Sequence, residues 1–286
     1  MSARHAIFRD DAATVLARHR LLLAETRRQR AARIVAPIAM VGVALFAIWR
    51  LGISVGQIGP GLVELGKFIA LMVPPSTGGH LALFLKAMGE TLAIAFLGTL
   101  VAAILAMPLG LLAAKNTTPS LLLRFLTRRL LDVIRGIDTL IWALVFVAVV
   151  GLGPFAGILA IAVSDTGSFG KLFSEAIEAT PARERETVIA CGGNSWMGIR
   201  FSLLPQVLPI IAGQILYFFE SNTRSATIIG IVGAGGIGLQ LSEQIRTYDF
   251  DRVAFIVLLI LAAVALIDWI SGKLRFAIIG RRQNLA

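Results

Sequence analysis

From residue 91 to residue 114 the chain runs 24 residues without a charged side chain. As a helix, at about 1.5 Å of rise per residue, such a run exceeds the roughly 30 Å hydrocarbon core of a bilayer. Residues 139–164 form a second uncharged run, of 26 residues. Across all 286 residues, 57% are hydrophobic and 15% charged, with a mean hydropathy of +0.82. Soluble domains carry nearer 25% charged residues, and could not hide this much apolar surface. The composition argues against a water-soluble enzyme and for one all-α integral membrane domain.

Six apolar spans are read: 34–53, 91–114, 132–150, 154–173, 206–232 and 253–270. Arg50 lies near the end of the first and can snorkel to the interface. The run 139–164 is divided at Gly151-Leu152-Gly153-Pro154, because Pro154 lacks an amide hydrogen and the glycines weaken a helix. The same run would also make one tilted helix. Charge asymmetry arbitrates. With six spans, 21 basic residues fall on the side of the N-terminus and five on the other (Arg50, Lys67, Lys86, Arg246, Arg252); with five spans the bias vanishes. The positive-inside rule then places both termini in the cytoplasm. The expected organisation is a basic cytoplasmic tail (1–33), a transmembrane domain (34–275) and a cytoplasmic C-terminal tail (276–286). The first tail carries eight arginines ahead of the apolar run, which is not the order of a secretory signal.

The net charge of +10 is thus read as membrane topology, not as a nucleic-acid footprint. Cys191 is the only cysteine, which excludes an internal disulfide and a CxxC pair; three histidines leave little material for a metal site or His-based catalysis. No GxxxxGK[ST] motif occurs, so the chain has no P-loop. The expectation is a chain with no catalytic residue, no metal and no cofactor of its own.

Two connectors carry information. The outer one, 52–90, contains an amphipathic stretch at 61–72, read as an interfacial helix ending at Pro74-Pro75. The inner one, 176–204, is longer than a turn between helices needs, which points to a docking or gating role. Within the fifth span, Glu220 lies about 21 Å from Gln206 along the helix, where a charge is costly unless paired or facing water. Arg224 follows at i+4, the favourable order for a pair. Two readings stand: a self-neutralised pair that fixes this helix against its neighbours, or a polar element of a translocation path or gate, with Asn222, Ser225 and Thr227 adding hydrogen bonds. Gly233-Ala-Gly235-Gly-Ile-Gly238 formally matches GxGxxG, but an apolar helix precedes it and no acid follows at the required distance. It reads as close packing or an unwound turn.

The inner loop reads Glu186-Thr-Val-Ile-Ala-Cys-Gly192, then nine residues, then Ser202-Leu203-Leu204-Pro205. This resembles the EAA loop of ABC-importer permeases. Glu186, Gly192, Leu204 and Pro205 match in register, Gly193 adjoins the turn, and Thr187, Val188 and Ser202 depart. Gly192 suits the turn and Pro205 the start of the next helix. From residue 34 to 275 the chain further resembles the permease of phosphonate ABC importers (PhnE type). The carriers are Thr91-Leu-Ala-Ile-Ala-Phe-Leu-Gly-Thr99, Gly151-Leu-Gly-Pro-Phe-Ala-Gly157, Glu175-Ala-Ile-Glu178 and, above all, the run from Phe219 to Gly238. Asp138, where the family usually has proline, and Ser164-Asp165-Thr166 depart from it.

The resemblance implies a type I (MetI-like) permease in the bacterial cytoplasmic membrane. It implies a second permease copy, identical or paralogous, two cytoplasmic ABC ATPase subunits that bind ATP and Mg, and an extracytoplasmic phosphonate-binding protein. The coupling loop would be 176–205, with Glu186, Gly192, Gly193, Leu204 and Pro205 at its core. Glu220, Asn222, Arg224 and Thr227 are the candidates for the path or gate. Another cargo (phosphite, a phosphate ester, a methionine-type ligand), an ion-coupled transporter and a membrane scaffold are the alternatives.

Overall fold

A computed structural model describes residues 27–52, 56 and 58–283. The chain divides into two units, 1–68 and 69–286. The first holds α1 (Arg27–Arg50) and most of α2 (Ile58–Leu71). The expected amphipathic segment at 61–72 is thus helical, with Lys67 paired to Glu64 at 2.7 Å, one turn apart.

The second unit contains α3 (Leu81–Ala113), α4 (Leu121–Arg135), α5 (Thr139–Val150), α6 (Pro154–Glu178), α7 (Ala182–Ala190), α8 (Ser195–Gly198), α9 (Leu204–Ile229), α10 (Ile237–Arg246) and α11 (Phe250–Gln283). Short π-helical turns link α8 to α9 (Ile199–Leu203) and extend α9 (Gly230–Ala234). Among the described residues no strand occurs.

By length and composition alone, three helical runs here can cross a membrane: Leu81–Ala113, Ser195–Ala234 and Phe250–Ala277. A fourth follows if α4 and α5, bent by 84°, count as one. The apolar part of α1, Val35–Arg50, is shorter, and α6 carries Asp165, Lys171, Glu175 and Glu178. The six spans expected from hydropathy therefore exceed what length and composition of the described helices secure.

The break at 151–153 lies where the sequence places it. α5 ends at Val150, and Pro154 opens α6 at a position where its missing amide hydrogen is no loss. A second break was not expected. The span read at 132–150 is interrupted at 136–138, because Gly136 closes α4 and the Asp138 side chain accepts the Leu140 amide at 2.8 Å, starting α5.

α3 packs most extensively on α6. The small side chains Ala95, Ala102 and Ala106 are fully buried, and Gly98 and Gly110 let the backbones close in. A methyl at Gly98 would sit 2.7 Å from Ile161 Cβ, and at Gly110, 2.9 Å from Phe173 Cβ. Phe169, Phe173, Val207 and Ile211 fill one end of this core, joining α6 to α9. Ile94, Ala160, Ile161, Ala226 and Ile229 fill the other.

Candidate functional site

Two regions hold the candidate residues. The first is the loop between α6 and α9. Its helix α7 ends at Ala190, and Gly192 adopts φ +89°, a conformation that suits glycine. The Gly192 amide donates to Ile189 O at 2.9 Å and the Gly193 amide to Val188 O at 3.0 Å, the pattern that seals a helix C-terminus. The Asn194 side chain then accepts the Met197 amide at 2.9 Å and starts α8. The π turn leads into α9, with Pro205 in its first turn. The result is a helix–turn–helix, as the spacing suggests. Glu186 and Pro205 are exposed and Leu204 is half-buried. Ile189, Trp196, Met197 and Phe201 add exposed apolar surface that the sequence reading did not single out.

The root of this loop is anchored by charge. Glu178, the last residue of α6, accepts the Lys115 amide at 2.7 Å and Arg128 Nη2 at 2.6 Å. Arg128 Nε also donates to Ala113 O at 2.9 Å, the end of α3.

The second region is the middle of α9. The Glu220 side chain is only 11% exposed. Arg224 Nη1 lies 3.6 Å from its Oε1, so the i,i+4 pair exists. The closer partner is Arg275, whose Nη2 donates to Oε2 at 3.0 Å. Arg275 lies beyond the last apolar span expected at 253–270; α11 continues through it to Gln283, and its side chain reaches α9. Arg275 is tens of residues away in sequence, so no local spacing signals the contact. Arg224 itself is half-exposed.

Asn222 and Thr227 sit elsewhere on α9. Asn222 is buried and donates to Thr99 Oγ1 of α3 at 2.8 Å and to the buried Asp165 carboxylate of α6. The triad ties three helices together in the core. Thr227 is buried too, its hydroxyl donating to Thr223 O at 3.2 Å one turn earlier. The structure thus brings Glu220 to Arg224 and Arg275, and turns Asn222 and Thr227 inward.

The glycine run is an elbow. Gly233, Gly235 and Gly236 take φ of +103°, +82° and +73°. The Thr91 hydroxyl of α3 accepts the Ile237 amide at 2.8 Å and so starts α10. Close packing accompanies the turn: a methyl on Gly238 would lie 2.0 Å from Thr227 O.

Residues 106–279 match the family model described as "Binding-protein-dependent transport system inner membrane component". The chain belongs to this family. It is the membrane-spanning permease subunit of an ABC importer, a transport subunit and not a catalytic one. The permease is 36% identical over 235 residues to the phosphite transport system permease protein PtxC of Stutzerimonas stutzeri, covering 82% of this chain and 85% of that one. It is 40% identical over 204 residues to the phosphate-import permease protein PhnE of Mycolicibacterium smegmatis, covering 71% of this chain and 38% of that longer protein. Its fold is similar to a chain of the MetNI methionine ABC transporter solved in inward-facing conformations, with a TM-score of 0.63, 21% identity, and coverage of 71% of this chain and 99% of that one. The permease is accordingly MetI-like in architecture, with several apolar helices suited to a multi-pass membrane protein.

Proposed function

We propose that this permease imports a phosphorus oxyanion, phosphonate or its close kin phosphite and phosphate, across the bacterial inner membrane. The observation that carries the reading is Arg224. It is a half-exposed cation deep in an apolar span, and the acid beside it is already held by Arg275. Such a cation attracts an oxyanion, and the nearby carboxylate keeps the anion from binding too tightly to leave. The phosphite and phosphate names of the two relatives support the same cargo class.

In this reading two permease copies enclose the pathway, a periplasmic binding protein delivers the anion, and two ATPase subunits holding ATP and Mg dock on the loop 176–205. Glu186, the Gly192–Gly193 turn and the exposed Trp196 form the contact. ATP binding closes the motors and turns the cavity outward; hydrolysis resets it. The chain itself makes and breaks no covalent bond.

The test is reconstitution of the permease in proteoliposomes with its ATPase and binding protein. ATP-dependent uptake of radiolabelled methylphosphonate or phosphite is the expected result. Uptake of methionine with none of the phosphorus oxyanions would overturn the cargo, and uptake that ignores ATP would overturn the coupling.

A further inference from the structure

Beyond Arg224, one face of α9 carries a row of polar groups that this reading of the cargo leaves without a role. Ile210, Gln214, Tyr217, Ser221, Arg224 and Ile228 recur at alternating steps of four and three residues, which sets them on one stripe. Ile210, Tyr217, Arg224 and Ile228 are exposed, while Gln214 and Ser221 are half-buried. The stripe is apolar at both ends and polar over residues 214–224, about 15 Å at 1.5 Å per residue. The flanking faces differ sharply. Asn222, Thr223, Ala226 and Thr227 are buried, with Asn222 bonded to Thr99 of α3 and Asp165 of α6.

A polar stripe at the centre of a membrane helix cannot rest against lipid tails without loss; it faces water or protein. Its chemistry selects the occupant. The Tyr217 and Ser221 hydroxyls and the Arg224 guanidinium all donate hydrogen bonds, and Arg224 adds a positive charge. Gln214 has an amide donor as well; its Oε1 is buried and, among the described residues, lacks a hydrogen-bond partner. The nearest carboxylate, Glu220, is turned to Arg275 at 3.0 Å and approaches Arg224 only to 3.6 Å, so it does not saturate the guanidinium. Three donors and a cation within three helical turns, with the acid drawn aside, complement a tetrahedral anion rich in acceptor oxygens.

The geometry points to Tyr217, Ser221 and Arg224 as the anion-binding wall of the translocation path, with Arg275 the positioning residue that draws Glu220 aside and leaves Arg224 available to cargo. The inference rests on the oxyanion reading above, and it adds residues which that reading lacks. Arg275 acts through Glu220 and does not touch the anion.

A thiol-labelling experiment tests the wall, and Arg275→Met in the same background tests the positioning. The single variant is expected to raise the half-protecting anion concentration and Glu220→Gln/Arg275→Met to restore it, whereas protection that Arg275→Met leaves unchanged would remove Arg275 from the proposal. Cys191 is the sole cysteine, so a Cys191→Ser background with Ser221→Cys carries one engineered thiol. The full complex in proteoliposomes is treated with the water-soluble, anionic methanethiosulfonate ethylsulfonate, and modification is read on the permease band. The expected result is rapid labelling that millimolar methylphosphonate or phosphite slows about fivefold or more, and that chloride at matched ionic strength does not. Adding Tyr217→Phe is expected to raise the half-protecting anion concentration about tenfold. Absence of labelling would mean that the stripe is sealed against lipid or the second copy, and overturns the proposal. Labelling that the anions leave unchanged overturns it equally. Protection that Tyr217→Phe leaves untouched removes Tyr217 from the wall. Because labelling needs no turnover, protected labelling without uptake would sink the transport reading while leaving the binding wall standing.

Discussion

Gly153 donates its amide hydrogen to the carbonyl of Gly233 at 2.9 Å, joining the break between α5 and α6 to the elbow between α9 and α10. The contact is dense on both sides. A methyl on Gly235 would meet Pro154 N at 3.0 Å, and one on Gly157 would meet Ala234 O at 3.1 Å. Two chain breaks that look like separate weak points are one knitted structure.

Substitution in this elbow is expected to be severe where backbone is the obstacle. Gly238→Ala drives a methyl to within 2.0 Å of Thr227 O, which no rotamer change relieves. Loss of monodisperse protein on detergent extraction is the expected result. Gly66→Ala, where no atom outside its own helix neighbourhood lies within 4 Å, is expected to be neutral or stabilising by up to about 1 kcal/mol. Normal extraction of the Gly238→Ala protein would contradict the packing described.

Asn222 is the hub of a buried polar triad, so Asn222→Ala leaves Asp165 and Thr99 short of a partner in the core. A loss of about 1–3 kcal/mol is expected, read as a lowered thermal midpoint in detergent. Asn222→Asp sets two carboxylates together in the core and is expected to lower the midpoint further. An unchanged midpoint in both variants would show that the triad does not hold the helices.

Arg275→Met removes the closer partner of a Glu220 side chain that is 11% exposed. Arg224 remains at 3.6 Å as a second, more distant partner, so the carboxylate is only partly compensated and a loss of about 1–3 kcal/mol is expected. The double variant Glu220→Gln/Arg275→Met removes both charges and is expected to recover much of that stability. A double variant as unstable as the single would assign Arg275 a role apart from Glu220.

Arg224→Ala is expected to abolish ATP-dependent oxyanion uptake while membrane insertion and complex assembly stay normal, because half-exposed Arg224 contributes little packing. Full uptake by a well-expressed variant would refute its place in the path.

Trp196 is exposed on α8, in the loop between α6 and α9 that the proposed function assigns to ATPase docking. Large aromatic anchors commonly contribute 2 kcal/mol or more to an interface, so Trp196→Ala is expected to weaken ATPase docking about 30-fold or more. Equilibrium binding of the purified ATPase reads the effect. An unchanged affinity would move the docking contact elsewhere on the loop.

Sequence patterning exposed the helices because apolar runs and turn residues are local. Pro154 and its flanking glycines mark the α5–α6 break, and Gly192 marks the turn after α7. The α4–α5 corner is hidden from hydropathy because only three residues separate two helices, and its signal is the pairing of a closing Gly136 with a capping Asp138. The candidates on α9 were gathered by proximity in sequence. Helical phase separates them: Asn222 and Thr227 turn into the core, whereas stepping back from Arg224 by three and four residues reaches Ser221, Tyr217 and Gln214. That signal was available in the spacing alone. Arg275 and Asp165 were not available, since their partners come from helices distant in the chain.

The Arg128–Glu178 contact has a mechanical consequence. Glu178 ends α6 just ahead of α7, and Arg128 on α4 grips both that carboxylate and the last carbonyl of α3. The ends of α3 and α6 and the middle of α4 meet in a single ionic clasp. A torque applied at α7 is thereby passed to α3, α4 and α6 together, so under the proposed function a stroke of the loop begins by turning these three helices as one body.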